Sequence, residues 1–217
     1  MNIAIFGASG ATGSLLTQRC LAAGHKVRAL LRTPEKFSLR DKVHVIGGTP
    51  FDLTAVRKTI EGTDVVLSTL GAKSLKKEDV LERAVPQIIT AMQETASQTR
   101  PVRRIIVLGS AGALPTSLDK QPAWQRWIVQ NIVYNTFLKW PVASQISQWK
   151  DLSHSNLDWT MVMPMKLSNA AARGTYRVDG NALPRNGSRI SRADVADFML
   201  QQINNPQWIK RGVYISW

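Results

Sequence analysis

Near its start the chain passes from an unbroken apolar run at positions 3–6 into Gly7-Ala8-Ser9-Gly10-Ala11-Thr12-Gly13. Leu15, Leu16 and Cys20 then follow at helical spacing, with Gly24 as a stop. Few arrangements constrain a fold as tightly. A short apolar strand that turns at once into a helix, with glycines at the turn, opens a sheet of parallel strands covered by helices. Gly7 permits the tight turn off the strand, Gly10 lets backbone come close to a pyrophosphate, and Gly13 lets the helix pack against the sheet. The helix N-terminus adds unpaired N–H groups and the positive end of its dipole, and Ser9 and Thr12 add hydroxyls. The spacing is G-x-x-G-x-x-G rather than the G-x-G-x-x-G of many dinucleotide loops. The strand before and the helix after therefore carry the expectation of a dinucleotide site.

The rest of the first half repeats the pattern. Apolar runs at 27–31, 43–46, 65–70 and 105–108 predict strands two to five. Between them lie a short helix (Leu53, Val56, Ile60) opened by Asp52 as a cap, and a longer one with Leu81, Ala84, Val85, Ile88 and Met92 on one face and a bend expected at Pro86. Continuously apolar strands are buried on both faces. The expected fold is thus α/β, a doubly wound parallel sheet (Rossmann fold) with helices on both faces. The second half is less regular. Trp124, Trp127, Ile128, Asn131, Ile132 and Phe137 predict an aromatic-rich helix ending before Pro141, and Ile146 and Trp149 mark another. A sixth strand over 159–163 is closed by Pro164, and a Gly-, Asn- and Arg-rich loop covers 167–188. Ser191 and Asp194 form a capping box, and a last strand is expected at 212–217. A length of 217 residues suits one domain, 1–217, with a small substrate-side lobe from about 111–150 and 165–190.

The formal net charge of +13 admits a nucleic-acid partner, an anionic small-molecule substrate, or a merely basic surface. The cations are scattered and form no polybasic tail or aromatic-interleaved stripe, which argues against nucleic acid. No run reaches the ~18 apolar residues of a membrane span, and no basic, apolar leader opens the chain, so neither a membrane partner nor export is expected. The single Cys20 rules out an internal disulfide and suits a reducing, cytoplasmic setting. Oligomeric state is left open.

Cofactor choice is read at the end of the second strand, where NAD sites place an acid for the ribose 2′-hydroxyl. Here the strand ends at Arg32, and Lys36 follows one turn later, with Glu35 as the nearby acid. A guanidinium fork suits a 2′-phosphate. NADPH is therefore expected over NADH.

At these residues the chain resembles the atypical short-chain dehydrogenase/reductase superfamily, and within it the NmrA-like NAD(P)-binding group that contains the biliverdin and flavin reductases. The resemblance covers nearly the whole chain. It rests on the glycine loop, Leu70-Gly71, Val107-Leu108-Gly109-Ser110-Ala111, the segment from Leu157 to Pro164 and Ile190-Ser191-Arg192-Ala193-Asp194. It implies that Gly7, Ser9, Gly10, Ala11, Thr12 and Gly13 hold the pyrophosphate, and that Arg32 and Lys36 hold the 2′-phosphate. Leu70 and Gly71 would border the ribose and phosphates. Leu108, Met163, Pro164, Met165 and Lys166 would flank the nicotinamide, with Ser110 as the catalytic candidate beside the hydride. The group often has Asp at the adenine after the third strand; here Gly47-Gly48-Thr49-Pro50 leaves Thr49 in that place. The implied activity is NADPH-dependent hydride transfer to a planar anionic acceptor, a flavin as substrate or a linear tetrapyrrole. The alternative is a non-catalytic redox sensor that binds NADP(H) and acts on a protein partner.

Other constellations fall short. Tyr134 and Lys139 are five residues apart, not the four that would align a Tyr-x-x-x-Lys pair. No G-x-S-x-G elbow is present, and His25, His44 and His154 stand alone. One cysteine without paired His/acid spacing predicts no metal site. Trp124 and Trp127 are candidates to face a substrate cavity, and Lys73 to contact an anionic substrate.

Overall fold

The computed structural model describes residues 1–72 and 74–217; Lys73 and the side chains of Ala113, Asn135 and Phe137 lie outside the described residues. The opening run forms strand β1 (Asn2–Phe6). Ile3 and Ile5 face one side of the sheet, Ala4 and Phe6 the other, and all four are fully buried. Around it come β2 (Lys26–Leu31), β3 (His44–Gly47), β4 (Val65–Ser68), β5 (Arg104–Leu108), β6 (Asp158–Pro164) and β10 (Arg211–Ser216), all parallel. Strand β8 (Arg177–Asp179) adds an antiparallel edge to β10. The described sheet runs β3-β2-β1-β4-β5-β6-β10-β8, and β7 (Leu167–Ser168) pairs with β9 (Ile190–Ser191) outside it. The doubly wound parallel sheet is as the apolar runs predict. The short strands inside the expected 167–188 loop are additions that its Gly- and Asn-rich composition hides.

Helices cover both faces. Helices α1 (Ala11–Ala22) and α6 (Arg192–Gln201) pack together over Ile3, Ile5 and Leu67. Helices α2 (Leu53–Ile60), α3 (Val80–Glu94) and α5 (Lys139–His154) cover Ala4, Phe6 and Val66. Truncating a core side chain such as Ile5 to Ala should cost about 2–5 kcal/mol. Asp52 caps α2, accepting from the Thr54 N–H at 2.9 Å, and Ser191 caps α6 through the Asp194 N–H at 2.9 Å. Helix α3 is unbroken through Pro86. Its buried stripe of Val85, Ile88 and Met92 holds the helix where the missing proline donor would weaken it.

The aromatic-rich segment departs most from expectation. It forms α4 (Ala123–Ile128), then a π-helical stretch (Val129–Phe137), and the chain re-enters α-helix at Lys139. Pro141 does not follow a helix end; it sits in the first turn of α5, where its missing N–H would have no intrahelical partner anyway. Trp149 and Trp159 meet edge to face in the core, with ring centroids 5.0 Å apart.

Candidate functional site

The sheet order reverses between β1 and β4, and there the strand ends diverge to leave a crevice. A cleft of about 700 Å³ opens at that point. Its floor is the glycine loop. Gly7 has φ +82°, and a Cβ on it would lie 2.8 Å from Thr69 Oγ1. A Cβ on Gly13 would strike the Gly7 carbonyl and come within 2.6 Å of the same hydroxyl. Thr69, just past β4, explains the crowding: its N–H donates to the Phe6 carbonyl at 2.9 Å and its hydroxyl to the Gly7 carbonyl at 3.1 Å. Gly10 differs. A Cβ there would meet only the Gly7 carbonyl, at 3.2 Å, and otherwise open cleft. Thus Gly7 and Gly13 are small because the protein packs on them, whereas Gly10 faces open cleft, which leaves its backbone accessible. Ser9, Gly10, Ala11 and Thr12 line the cleft at the start of α1, where the first helical N–H groups have no partner within the helix. This cradle fits a pyrophosphate.

One end of the cleft is formed by Arg32, Leu30, Pro50 and Phe51. Arg32 is exposed, directly follows β2, and makes no hydrogen bond or ion pair among the described residues. Phe51 is braced by the Arg83 guanidinium, 4.1 Å from its ring centroid. Lys36 lies in a short 3-10 turn and Thr49 between β3 and α2, and neither lines the cleft. After β3 the cleft is lined by Pro50 and Phe51, and not by Thr49.

The other end gathers Leu108, Gly109 and Ser110 from the end of β5 and just past it, Leu138, Pro141, Ser144 and Gln145 from the cap and first turns of α5, and Leu167 and Arg192 from β7 and α6. Met163, Pro164, Met165 and Lys166 do not line it. Met163 and Pro164 are buried at the end of β6, with Met163 in the core, and Leu167 reaches the cleft instead. Trp124 and Trp127 are 64% and 61% exposed and neither lines the cleft, which corrects the expectation that one faces the cavity. Tyr134 packs beside Gly112, its hydroxyl pKa raised by burial, and does not line the cleft, while the Lys139 ammonium lies 5.1 Å from the Trp140 ring. These two make no Tyr/Lys pair.

Sequence reasoning missed a relay of amides on α5. Gln148 is fully buried, and its Nε2 donates to the Leu108 carbonyl at 3.3 Å and to Gln145 Oε1 at 3.3 Å. A backbone carbonyl can only accept, so it fixes which way the Gln148 amide points. Gln148 in turn turns the oxygen of Gln145 inward, which leaves the Gln145 amino group as a donor at the cleft. The Ser110 hydroxyl, half-buried just past β5, makes no bond among the described residues. Arg192 donates to Asn169 Oδ1 at 2.7 Å and adds a second cation at the mouth. The arrangement can cradle two linked phosphates, hold a further anion at Arg32, and offer donors to an oxygen atom at the opposite end.

Known proteins share this fold. The chain is 28% identical, over 195 residues and 84% of its length, to an uncharacterized protein of Schizosaccharomyces pombe, of which it spans only 64%. Its fold superposes on the anaerobilin reductase ChuY of Escherichia coli O157:H7 with a TM-score of 0.80 at 20% identity, covering 100% of this chain and 97% of that one. It superposes on a short-chain dehydrogenase/reductase from Veillonella parvula in complex with NADP with a TM-score of 0.78 at 17% identity, covering 100% and 94%. The sequence profile of NAD(P)H-binding proteins matches residues 7–206, from the first glycine of the cradle to beyond α6. The chain belongs to the NAD(P)H-binding family.

Proposed function

We propose that this chain is an NADPH-dependent oxidoreductase that reduces a planar, anionic acceptor, a flavin or a linear tetrapyrrole, in a cytoplasmic setting. One observation carries the reading: the cleft joins an open phosphate cradle at Gly10 to a donor pair, Ser110 and Gln145, without a Tyr/Lys proton-transfer pair among the described residues. Gly10, Ala11 and Thr12 would hold the pyrophosphate, and Arg32 the 2′-phosphate that separates NADPH from NADH. The bound nicotinamide supplies a hydride. This chain's own residues do the positioning. The Ser110 hydroxyl and the Gln145 amide donate to a carbonyl oxygen of the acceptor, and so favour the negative charge that gathers there as the ring is reduced. Arg192 meets an acidic group of the acceptor at the mouth. Simple alcohol–ketone interconversion fits less well, since the oxygen would need a proton donor that Tyr134 does not provide. Anaerobilin reduction by ChuY, on the same fold, supports the acceptor class. Cys20 is buried with its thiol pushed up to about 12, which disfavours the reactive thiolate.

The test is acceptor-dependent NADPH oxidation with riboflavin, FMN and biliverdin. The wild type should turn over at least one of them. Ser110→Ala and Gln145→Ala should each lower kcat about 3- to 10-fold, the loss of one hydrogen bond, with NADPH affinity unchanged. Tight NADPH binding without oxidation by any acceptor would overturn the reading in favour of a redox sensor.

A further inference from the structure

The segment from α4 to the start of α5 has two faces. Val129 and Tyr134 pack inward on the core. Trp124, Trp127, Ile128, Ile132 and Trp140 point outward, with Trp124 and Trp127 more than 60% exposed. Leu75, 58% exposed, belongs to the loop that forms the cleft rim. Lys77 from that loop places its ammonium 5.2 Å from the Trp140 ring, which ties the rim to the apolar face. Eight large apolar residues are exposed among the described residues, and apart from Met1 and Ile146 they are the ones just named. Single exposed leucines need no explanation, but a concentration of this kind marks an interaction surface.

Charge selects the occupant. Residues 120–150 contain no Asp or Glu, and Lys120, Arg126, Lys139 and Lys150 fall within them. Lys120 and Arg126 pair with Asp179 and Asp119, but Lys77 and Lys139 lie against Trp140 on the apolar face without an acidic partner among the described residues. A second copy would bring like charges together on a chain that already carries +13. An anionic bilayer surface satisfies both features: indole rings prefer the boundary between headgroup and acyl chain, and lysines at the rim meet acidic headgroups. No helix among the described residues is long and apolar enough to cross a membrane, so the contact is a seat and not a span.

We propose that the outward face of Trp124, Trp127, Ile132 and Trp140 seats the protein on anionic phospholipid, with Leu75 at the cleft rim reaching the same surface. Leu138 and Pro141 line the cleft from the helix start that carries Trp140, so the mouth opens beside the lipid. An amphiphilic acceptor dissolved in the bilayer surface then enters without crossing water. The inference goes beyond the proposed reaction, because seating requires neither NADPH nor turnover.

The experiment is co-sedimentation of the full chain with vesicles of phosphatidylcholine alone and of phosphatidylcholine with phosphatidylglycerol, while tryptophan emission is recorded. We expect binding to the anionic vesicles only, with a blue-shifted emission. Trp124→Ser with Trp127→Ser should reduce partitioning about tenfold, and Lys77→Glu with Lys139→Glu by at least as much, because each cation near such a surface contributes roughly fivefold. NADPH affinity in both variants should match wild type, which reports that they fold. No binding to anionic vesicles, or binding indifferent to both double variants, overturns the proposal. So does a concentration-dependent dimer in light scattering that the tryptophan variant abolishes, which would assign the face to a second copy.

Discussion

In the proposed reading, Arg32 concentrates the choice between NADPH and NADH in one side chain. It follows β2, lies at the end of the cleft and has no partner among the described residues, so its fork is available to an incoming anion. Arg32→Ala should cost about 1.5–3 kcal/mol in NADPH binding, the range for a hydrogen bond to a charged group, and little in NADH binding. Fluorescence titration of both dinucleotides with both proteins checks this; equal losses would remove Arg32 from the 2′-phosphate. The residues whose placement was legible in the sequence were those set by local structure: Gly7, Gly10 and Gly13 within one turn, and Arg32 at a strand end. Gln145, Gln148 and Arg192 were not legible. Their roles depend on Leu108, Asn169 and the cleft, which lie far away in the chain.

At the scale of elements, the start of α6 joins three parts of the chain through one carboxylate. Asp194 is fully buried and accepts from the Ser191 hydroxyl at 2.8 Å, the Trp217 indole at 2.8 Å, and the Arg173 and Gly174 N–H groups at 3.1 and 2.9 Å. The Arg173 guanidinium stacks on Trp217 at 3.7 Å. Burial pushes the carboxyl pKa up, but these donors outweigh it and hold it below its usual value. A carboxylate depressed in the folded state stabilises it above the unfolded-state pKa, about 3.9, and that contribution disappears as pH falls through the lower folded value. Asp194→Asn turns an amino group toward donors and should cost about 1.5–3 kcal/mol near neutral pH. The difference in Tm between the two proteins should narrow below about pH 4. A pH-independent difference would show that the charge is not what the network uses. The capping box was visible as Ser191 and Asp194 at the right spacing, yet only the fold shows that it also anchors the loop and the last strand. The π-helical stretch and strand β8 were hidden for a related reason. Neither has a period of its own in sequence, and both depend on what they pack or pair against.

For the whole molecule, the parallel sheet was readable because strands buried on two faces must be apolar throughout, and the switch point between β1 and β4 follows from their order. The second half was less readable because its helices put apolar residues outward as well as inward, which blurs the periodicity that reports a core. The central claim is that the crevice at the switch point takes NADPH on the glycine cradle. A ligand that binds only the folded state stabilises it by about 2.7 kcal/mol at a hundred times its Kd, and a domain of this size gains roughly 2–4 °C per kcal/mol. Thermal unfolding of the wild type and of Gly10→Val, each with and without saturating NADPH, tests the claim most directly. The account predicts a rise of about 5–10 °C for the wild type, and for Gly10→Val an unliganded Tm close to wild type with no rise on adding NADPH. A wild type indifferent to NADPH, or a Gly10→Val protein stabilised as fully as the wild type, would contradict it.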